Sequence, residues 1–107
     1  MDVPEIDIET FASRHAAGAV VIDVREVDEY EDGHVPGARL IPLGDVPDRV
    51  DEVPSGEAVL VICRSGARSR RASEFLIGRG IDATNVAGGT MAWIDTGRAV
   101  VEGPDPD

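Results

Sequence analysis

The sequence contains no lysine; all ten basic residues are arginine. Schiff-base chemistry and a lysine-bearing phosphate loop are therefore excluded. There is one cysteine, Cys63, so no internal disulfide can form. With only two histidines, His15 and His34, set far apart, no structural zinc site or other bound metal is expected. No cofactor is expected either. Aromatic residues make up only 4% of the chain, and no apolar run approaches the length of a membrane span. Positive charge is scarce: 21 acidic against 10 basic residues give a formal net charge of −11. Such a surface argues against nucleic acid or an anionic membrane as a general partner. The acidic start, Met1-Asp2-Val3-Pro4-Glu5, lacks a charged-then-apolar leader pattern. The cytoplasm, where a free thiol stays reduced, is the expected location.

The 107 residues read as one domain over residues 1–102, followed by a polar tail, residues 103–107, expected to be mobile. A monomer is expected. A chain of this length can remove roughly two-thirds of its unfolded surface from water.

The most informative stretch runs from Ala58 to Ser73. Ala58 to Ile62 are five consecutive apolar residues, the pattern of a central strand covered on both faces. The run stops at Cys63, a short polar loop holding Gly66 follows, and helical spacing then places Ala72, Phe75 and Leu76 on one side. Gly80 is a plausible stop for that helix. A helix N-terminus presents unpaired N–H groups and about half a positive charge. A tight loop ahead of it can turn further N–H groups inward as an anion nest. A thiol at the base of that cup, with Arg64 and Arg68 nearby, is favoured in its ionised form. Cys63 is thus a candidate thiolate nucleophile, although the commoner fate of a lone cysteine is to pack as a small hydrophobe. Four of the ten arginines (Arg64, Arg68, Arg70 and Arg71) fall within eight positions here. Arg70 and Arg71 can equally be a solvated helix face.

Along the rest of the chain, Glu5 to Ile8 alternates as a short edge strand, and Thr10 is a candidate cap for a helix over Phe11–Ala17 ended by Gly18. Ala19 to Ile22 is a second apolar strand, ending in Asp23-Val24-Arg25. Five carboxylates between positions 26 and 32 mark the wet face of a short helix, with Val27 and Tyr30 turned inward. Residues Gly33 to Ala38 are turn chemistry, Arg39 to Leu43 a short strand ended by Pro42, and Asp45 to Val53 a short helix or turn. Ala83 to Ala87 is a last strand. Gly88-Gly89 then calls for unusual backbone angles or close approach to a neighbouring loop. Thr90 to Thr96 makes a helical turn that places Met91, Trp93 and Ile94 for burial, and Val100 and Val101 can add edge pairing. Short strands alternating with helices imply an α/β fold with a parallel sheet flanked by helices on both faces. In such folds the ligand site lies beyond the carboxyl ends of the strands, where Cys63, Asp23 and Arg25 fall.

Four segments in order, Asp23-Val24-Arg25-Glu26, Gly33 to Pro42, Cys63 to Ser69, and Val86 to Trp93, resemble the successive signatures of a single-domain rhodanese. The likeness spans about residue 5 to 102, with no departure at these positions. It implies a five-stranded parallel central sheet in a three-layer sandwich, and sulfurtransferase activity through a cysteine persulfide. Carried over, Cys63 accepts the sulfur, and the amides of Arg64, Ser65, Gly66, Ala67 and Arg68 surround it. Ser69 completes the substrate-binding set. The implied partners are a small anionic sulfur donor and a thiol acceptor, small molecule or protein.

The residues fit that chemistry. Ionised Cys63 attacks the outer sulfur of a donor such as thiosulfate, and a second nucleophile removes it. Arg64 and Arg68 can both contact the donor's oxygens, and the sequence does not say which faces the pocket. Asp23 and Arg25 are read as bracing the strand ends through an ion pair, and His34 as bonding backbone. Cysteine-dependent phosphatases and arsenate reductases form one rival class. They place an arginine six positions after the cysteine, where this chain has Ser69. A non-catalytic interaction module or a sulfur carrier is the other.

Overall fold

The computed structural model describes residues 2–107. Its centre is the apolar run Ala58–Ile62, strand β4, with β2 (Val20–Asp23) on one side and β5 (Asp82–Val86) on the other. The strands β1 (Glu5–Ile6) and β3 (Arg39–Leu40) form the edges, giving the order β1-β5-β4-β2-β3 with every pair parallel. The register pairs Asp23 with Ile62. The strand ends bearing Asp23 and Cys63 therefore lie side by side.

Alternation along β4 makes two cores. Val59, Val61 and Cys63 face one side, packing with Ile22, Val46 and the inner residues Ala72 and Leu76 of α3 (Ala67–Gly78). Leu60 and Ile62 face the other side. They meet Phe11 of α1 (Ile8–Ala16), Tyr30 of α2 (Val27–Asp32) and Trp93 of α4 (Gly89–Asp95). A strand buried on both faces has no polar alternation to show, which is why this one reads as an unbroken apolar run. The α/β fold with five parallel strands and helices on both faces is as the sequence implies. Among the described residues no helix is long and apolar enough to cross a membrane.

Local differences from the sequence reading have identifiable causes. The cap of α1 is Asp7, whose Oδ1 accepts from the Thr10 backbone N–H at 2.8 Å. A carboxylate both caps and complements the helix dipole, so the helix starts at Ile8 and the edge strand shrinks to two residues. Val27 is 52% exposed while Tyr30 is buried; a helix of six residues offers one inward position, and the larger ring fills it. In α4 the inner face holds Thr90 and Trp93, so Met91 and Ile94, also three apart, turn outward at 44% and 50% exposure. Strand β3 ends at Leu40, and the segment expected as one helix or turn holds two short 3₁₀ turns, Leu43–Asp45 and Val50–Glu52.

The C-terminal segment lies along the body. Val101 bridges His34 antiparallel, Gly103 N–H donates to Glu31 O (2.8 Å), and Gly37 N–H donates to Pro106 O (2.9 Å). His34 is buried and stacked on Tyr30 at 3.6 Å. Its Nδ1 faces Tyr30 O at 2.8 Å and its Nε2 faces Asp105 O at 2.9 Å, so both ring nitrogens face backbone carbonyls.

Candidate active site

Cys63 follows the last residue of the central strand and sits at the foot of α3. The loop between them closes at Gly66, the helix cap, with φ of +119°, a conformation that L side chains rarely adopt. That turn aims the Gly66 N–H at the sulfur, with N···Sγ 3.1 Å. The Ser69 hydroxyl, one turn into the helix and fully buried, lies 3.2 Å from Sγ.

The other side of the loop is held by α4. Thr90 donates to Cys63 O through both its backbone N–H (2.8 Å) and Oγ1 (3.0 Å), and Met91 N–H donates to Arg64 O at 3.0 Å. With these carbonyls drawn toward α4, the loop presents donors to the sulfur. Gly89 makes this possible. A Cβ there would stand 2.5 Å from Cys63 O, so only glycine lets the two backbones meet. This is the close approach the Gly88-Gly89 pair called for.

Burial pushes the Cys63 thiol up, but the Ser69 hydroxyl and the backbone N–H groups of Ser69, Gly66 and Ser65 outweigh it. The net ionisation falls below that of an ordinary cysteine. Charge-assisted hydrogen bonds of about 1.5–3 kcal/mol each are enough to reverse a partial desolvation penalty of a few kcal/mol. The loop amides act here together with the Ser69 hydroxyl, a group the sequence reading placed only in the substrate-binding set. Arg68 is engaged elsewhere: its Nη1 and Nη2 donate to the two carboxylate oxygens of Glu29 at 2.6 and 2.8 Å. That guanidinium holds the Glu29 carboxyl down at about 2.

Arg64 is exposed and makes no ion pair among the described residues. It lines a groove of about 250 Å³ together with Arg25, Glu29, Met91, Ile94 and Val100. Of the two arginines whose orientation the sequence left open, Arg64 is therefore the one that faces a groove unpaired. Ser65 and Ala67 are exposed on the rim, as are Arg70 and Arg71 on the outer face of α3. Cys63 itself is only 1% exposed, more covered than a nucleophile in an open pocket would be.

Asp23 and Arg25 form a buried pair. Arg25 donates from Nε to both Asp23 oxygens (3.0 and 3.1 Å), from Nη2 to Oδ2 (2.9 Å) and from Nη2 to Gly33 O (2.9 Å). The pair ties the end of β2 to the loop after α2.

Two further residues reach the site that sequence reasoning did not single out. Asn85 of β5 is buried, and its Oδ1 lies 2.5 Å from Ser69 Oγ. Its Nδ2 donates to Glu5 Oε2 at 2.9 Å and to Gly66 O at 3.2 Å. A polar amide inside an otherwise covered strand was the available signal.

A cysteine at the carboxyl end of the central parallel strand, beside hydrogen-bond donors at a helix start, defines an α/β domain with a thiol loop between strand and helix. Residues 7–96 match the family model of the rhodanese-like domain, and the chain belongs to that family. It is 35% identical over 81 residues to the thiosulfate sulfurtransferase GlpE of Pseudomonas putida, covering 75% of this chain and 74% of the relative. It is 36% identical over 94 residues to YrkF of Bacillus subtilis, a protein named as a candidate sulfur carrier. That match covers 85% of this chain but 51% of the relative, so the chain spans about half of YrkF. The crystal structure of a rhodanese-related protein from Thermoplasma volcanium superposes with a TM-score of 0.83 at 30% identity, covering 92% of this chain and 97% of that one.

Proposed function

We propose that this chain is a sulfurtransferase that carries sulfur as a persulfide on Cys63. The supporting observation is the sulfur's surroundings: the Gly66 N–H at 3.1 Å and a Ser69 hydroxyl within reach at 3.2 Å can both donate to a negative charge on it. In the first step the Cys63 thiolate attacks the outer, sulfane sulfur of a small anionic donor such as thiosulfate. A new Sγ–S bond forms, the donor's own S–S bond breaks, and sulfite leaves with the electron pair. In the second step a thiolate acceptor, or cyanide in an assay, attacks the outer sulfur and Cys63 departs as thiolate. Both intermediates are anionic, so one set of donors serves both steps. Because the thiol ionises more readily than an ordinary cysteine, the first step depends less on a general base.

Arg64, unpaired at the rim, is the residue that meets the donor's oxygens. The donor gains access by displacing the exposed rim of Arg64, Ser65 and Ala67, since Cys63 is 1% exposed at rest. Ser69 supports this reading over a phosphatase: where those enzymes place an arginine, this chain puts a short hydroxyl against the sulfur. The likeness to YrkF, named as a candidate sulfur carrier, supports a second reading, a sulfur carrier loaded by a partner enzyme. Rates separate the two, because a carrier turns over free thiosulfate slowly and a partner's persulfide quickly.

The test is sulfite release from thiosulfate with cyanide as acceptor. Wild type should turn over, and Cys63→Ser should lose all activity while keeping its circular dichroism spectrum. Retained activity in Cys63→Ser would overturn the reading, as would release of phosphate from an aryl phosphate in place of sulfite.

A further inference from the structure

Ser69 has one hydroxyl hydrogen and three acceptors within reach: Cys63 Sγ at 3.2 Å, Gly66 O at 3.2 Å and Asn85 Oδ1 at 2.5 Å. The shortest contact takes it. The hydroxyl is thus turned away from the sulfur it lies against, and the cause is the orientation of the Asn85 amide. Two acceptors, the Glu5 carboxylate and the Gly66 carbonyl, hold the Nδ2 end. Turning the amide over would set Oδ1 against both of them. The oxygen end must therefore face Ser69.

We propose that Asn85 and Glu5 are positioning residues that set where the Ser69 hydroxyl points and thereby restrain the ionisation of Cys63. In the resting thiol the hydrogen is parked on Asn85 Oδ1. When Cys63 becomes a thiolate or persulfide, the stronger acceptor draws that hydrogen over, and Asn85 gives up one bond. The relay runs Glu5–Asn85–Ser69–Cys63 and joins residues 5 and 85, which are adjacent because β1 pairs with β5 in register Glu5↔Asn85.

This inference rests on the reading of Cys63 as the nucleophile, but its test needs no sulfur transfer. The midpoint of Cys63 ionisation is read from the rate of alkylation by iodoacetamide across pH, in wild type and in Ser69→Ala. Ser69→Ala should raise the midpoint. Asn85→Ala removes the competing acceptor and should lower it by about one pH unit, roughly the effect of one weak hydrogen bond. Glu5→Gln replaces the carboxylate by a weaker, neutral acceptor, so the Nδ2 end is held less firmly and the hydroxyl hydrogen passes to the sulfur more readily; it too should lower the midpoint, by less than Asn85→Ala.

The decisive quantity is the difference between backgrounds. In Ser69→Ala there is no hydroxyl to redirect, so both substitutions should shift the midpoint less there than in wild type. Arg68 is the other charged group acting on the sulfur, and it is unchanged throughout. An equal shift in both backgrounds, or an upward shift with Asn85→Ala, would show only a lost charge or a loosened loop and would overturn the proposal. If Asn85→Ala does not fold, Glu5→Gln alone decides, since Glu5 is exposed. If the relay holds and thiosulfate leaves no sulfur on Cys63, it is the proposed function that fails.

Discussion

Gly89 lies so close to Cys63 that a Cβ added to it would stand 2.5 Å from the cysteine's carbonyl oxygen and 2.6 Å from that of Arg64. Its φ of +57° is also one that L side chains rarely adopt. Gly89→Ala therefore combines left-handed strain of about 1–2 kcal/mol with overpacking against backbone. A loss of about 2–4 kcal/mol of unfolding free energy is expected in denaturant titration. Because the shifted backbone is the thiol loop, activity should fall further than stability alone explains. Unchanged kinetics in a destabilised variant would separate the loop's shape from the chemistry.

The two loop arginines should part company. Arg64→Ala removes an unpaired rim cation, and loss of one charge-assisted contact of about 1.5–3 kcal/mol should lower kcat/KM for thiosulfate by roughly tenfold or more. Arg68→Ala removes a side chain already bonded to Glu29 and should affect donor use less. Steady-state kinetics on both variants check this; a larger effect from Arg68→Ala would return the donor-binding role to it.

Glu29 gives the fold an acid dependence with a definite sign. Its carboxyl is held at about 2 against an ordinary value of 4.5. The unfolded chain takes up this proton first, so the pair's contribution is complete above about pH 4.5 and fades as pH falls toward 2. The partners' side chains are 33% and 28% exposed, so screening limits the effect to about 1 kcal/mol. The stability gap between wild type and Glu29→Gln, measured by urea titration, should narrow from about pH 7 to about pH 3. A gap that widens on acidification would contradict the assignment.

Asp23 has no exposed surface, and its charge is balanced by Arg25. Arg25→Ala strands that carboxylate and leaves Gly33 O without its donor, at a cost of about 3–5 kcal/mol. Asp23→Ala with Arg25→Ala should cost less than the sum of the two single changes, because no buried charge is left unpaired. Thermal unfolding of the four proteins checks both points, and strict additivity would mean that the pair does not act as a unit.

What could be read from the sequence follows the range of each signal. The strand over residues 58–62, the stop at Cys63 and the helix after it are local patterns in hydrophobicity, and they stand in the structure within two residues. The Gly88-Gly89 signal was local too, though its partner, the Cys63 carbonyl, lies in a different loop. Met91 and Ile94 were misjudged because periodicity gives the spacing of a face but not which face meets the sheet; Thr90 and Trp93 took it. Val27 lost its inward place in α2 to Tyr30 for the same reason. That Arg68 pairs with Glu29, 39 positions away, is a contact no local pattern reveals. Asn85 and Glu5, 80 positions apart, meet only through strand pairing.

The account turns on sulfur resting covalently on one residue, and intact-protein mass spectrometry after incubation with thiosulfate tests that most directly. Wild type should gain the mass of one sulfur atom, lose it on addition of cyanide or a thiol, and show no gain in Cys63→Ser. A wild-type mass that stays unchanged with both thiosulfate and a protein persulfide donor, or a gain that survives in Cys63→Ser, would contradict it.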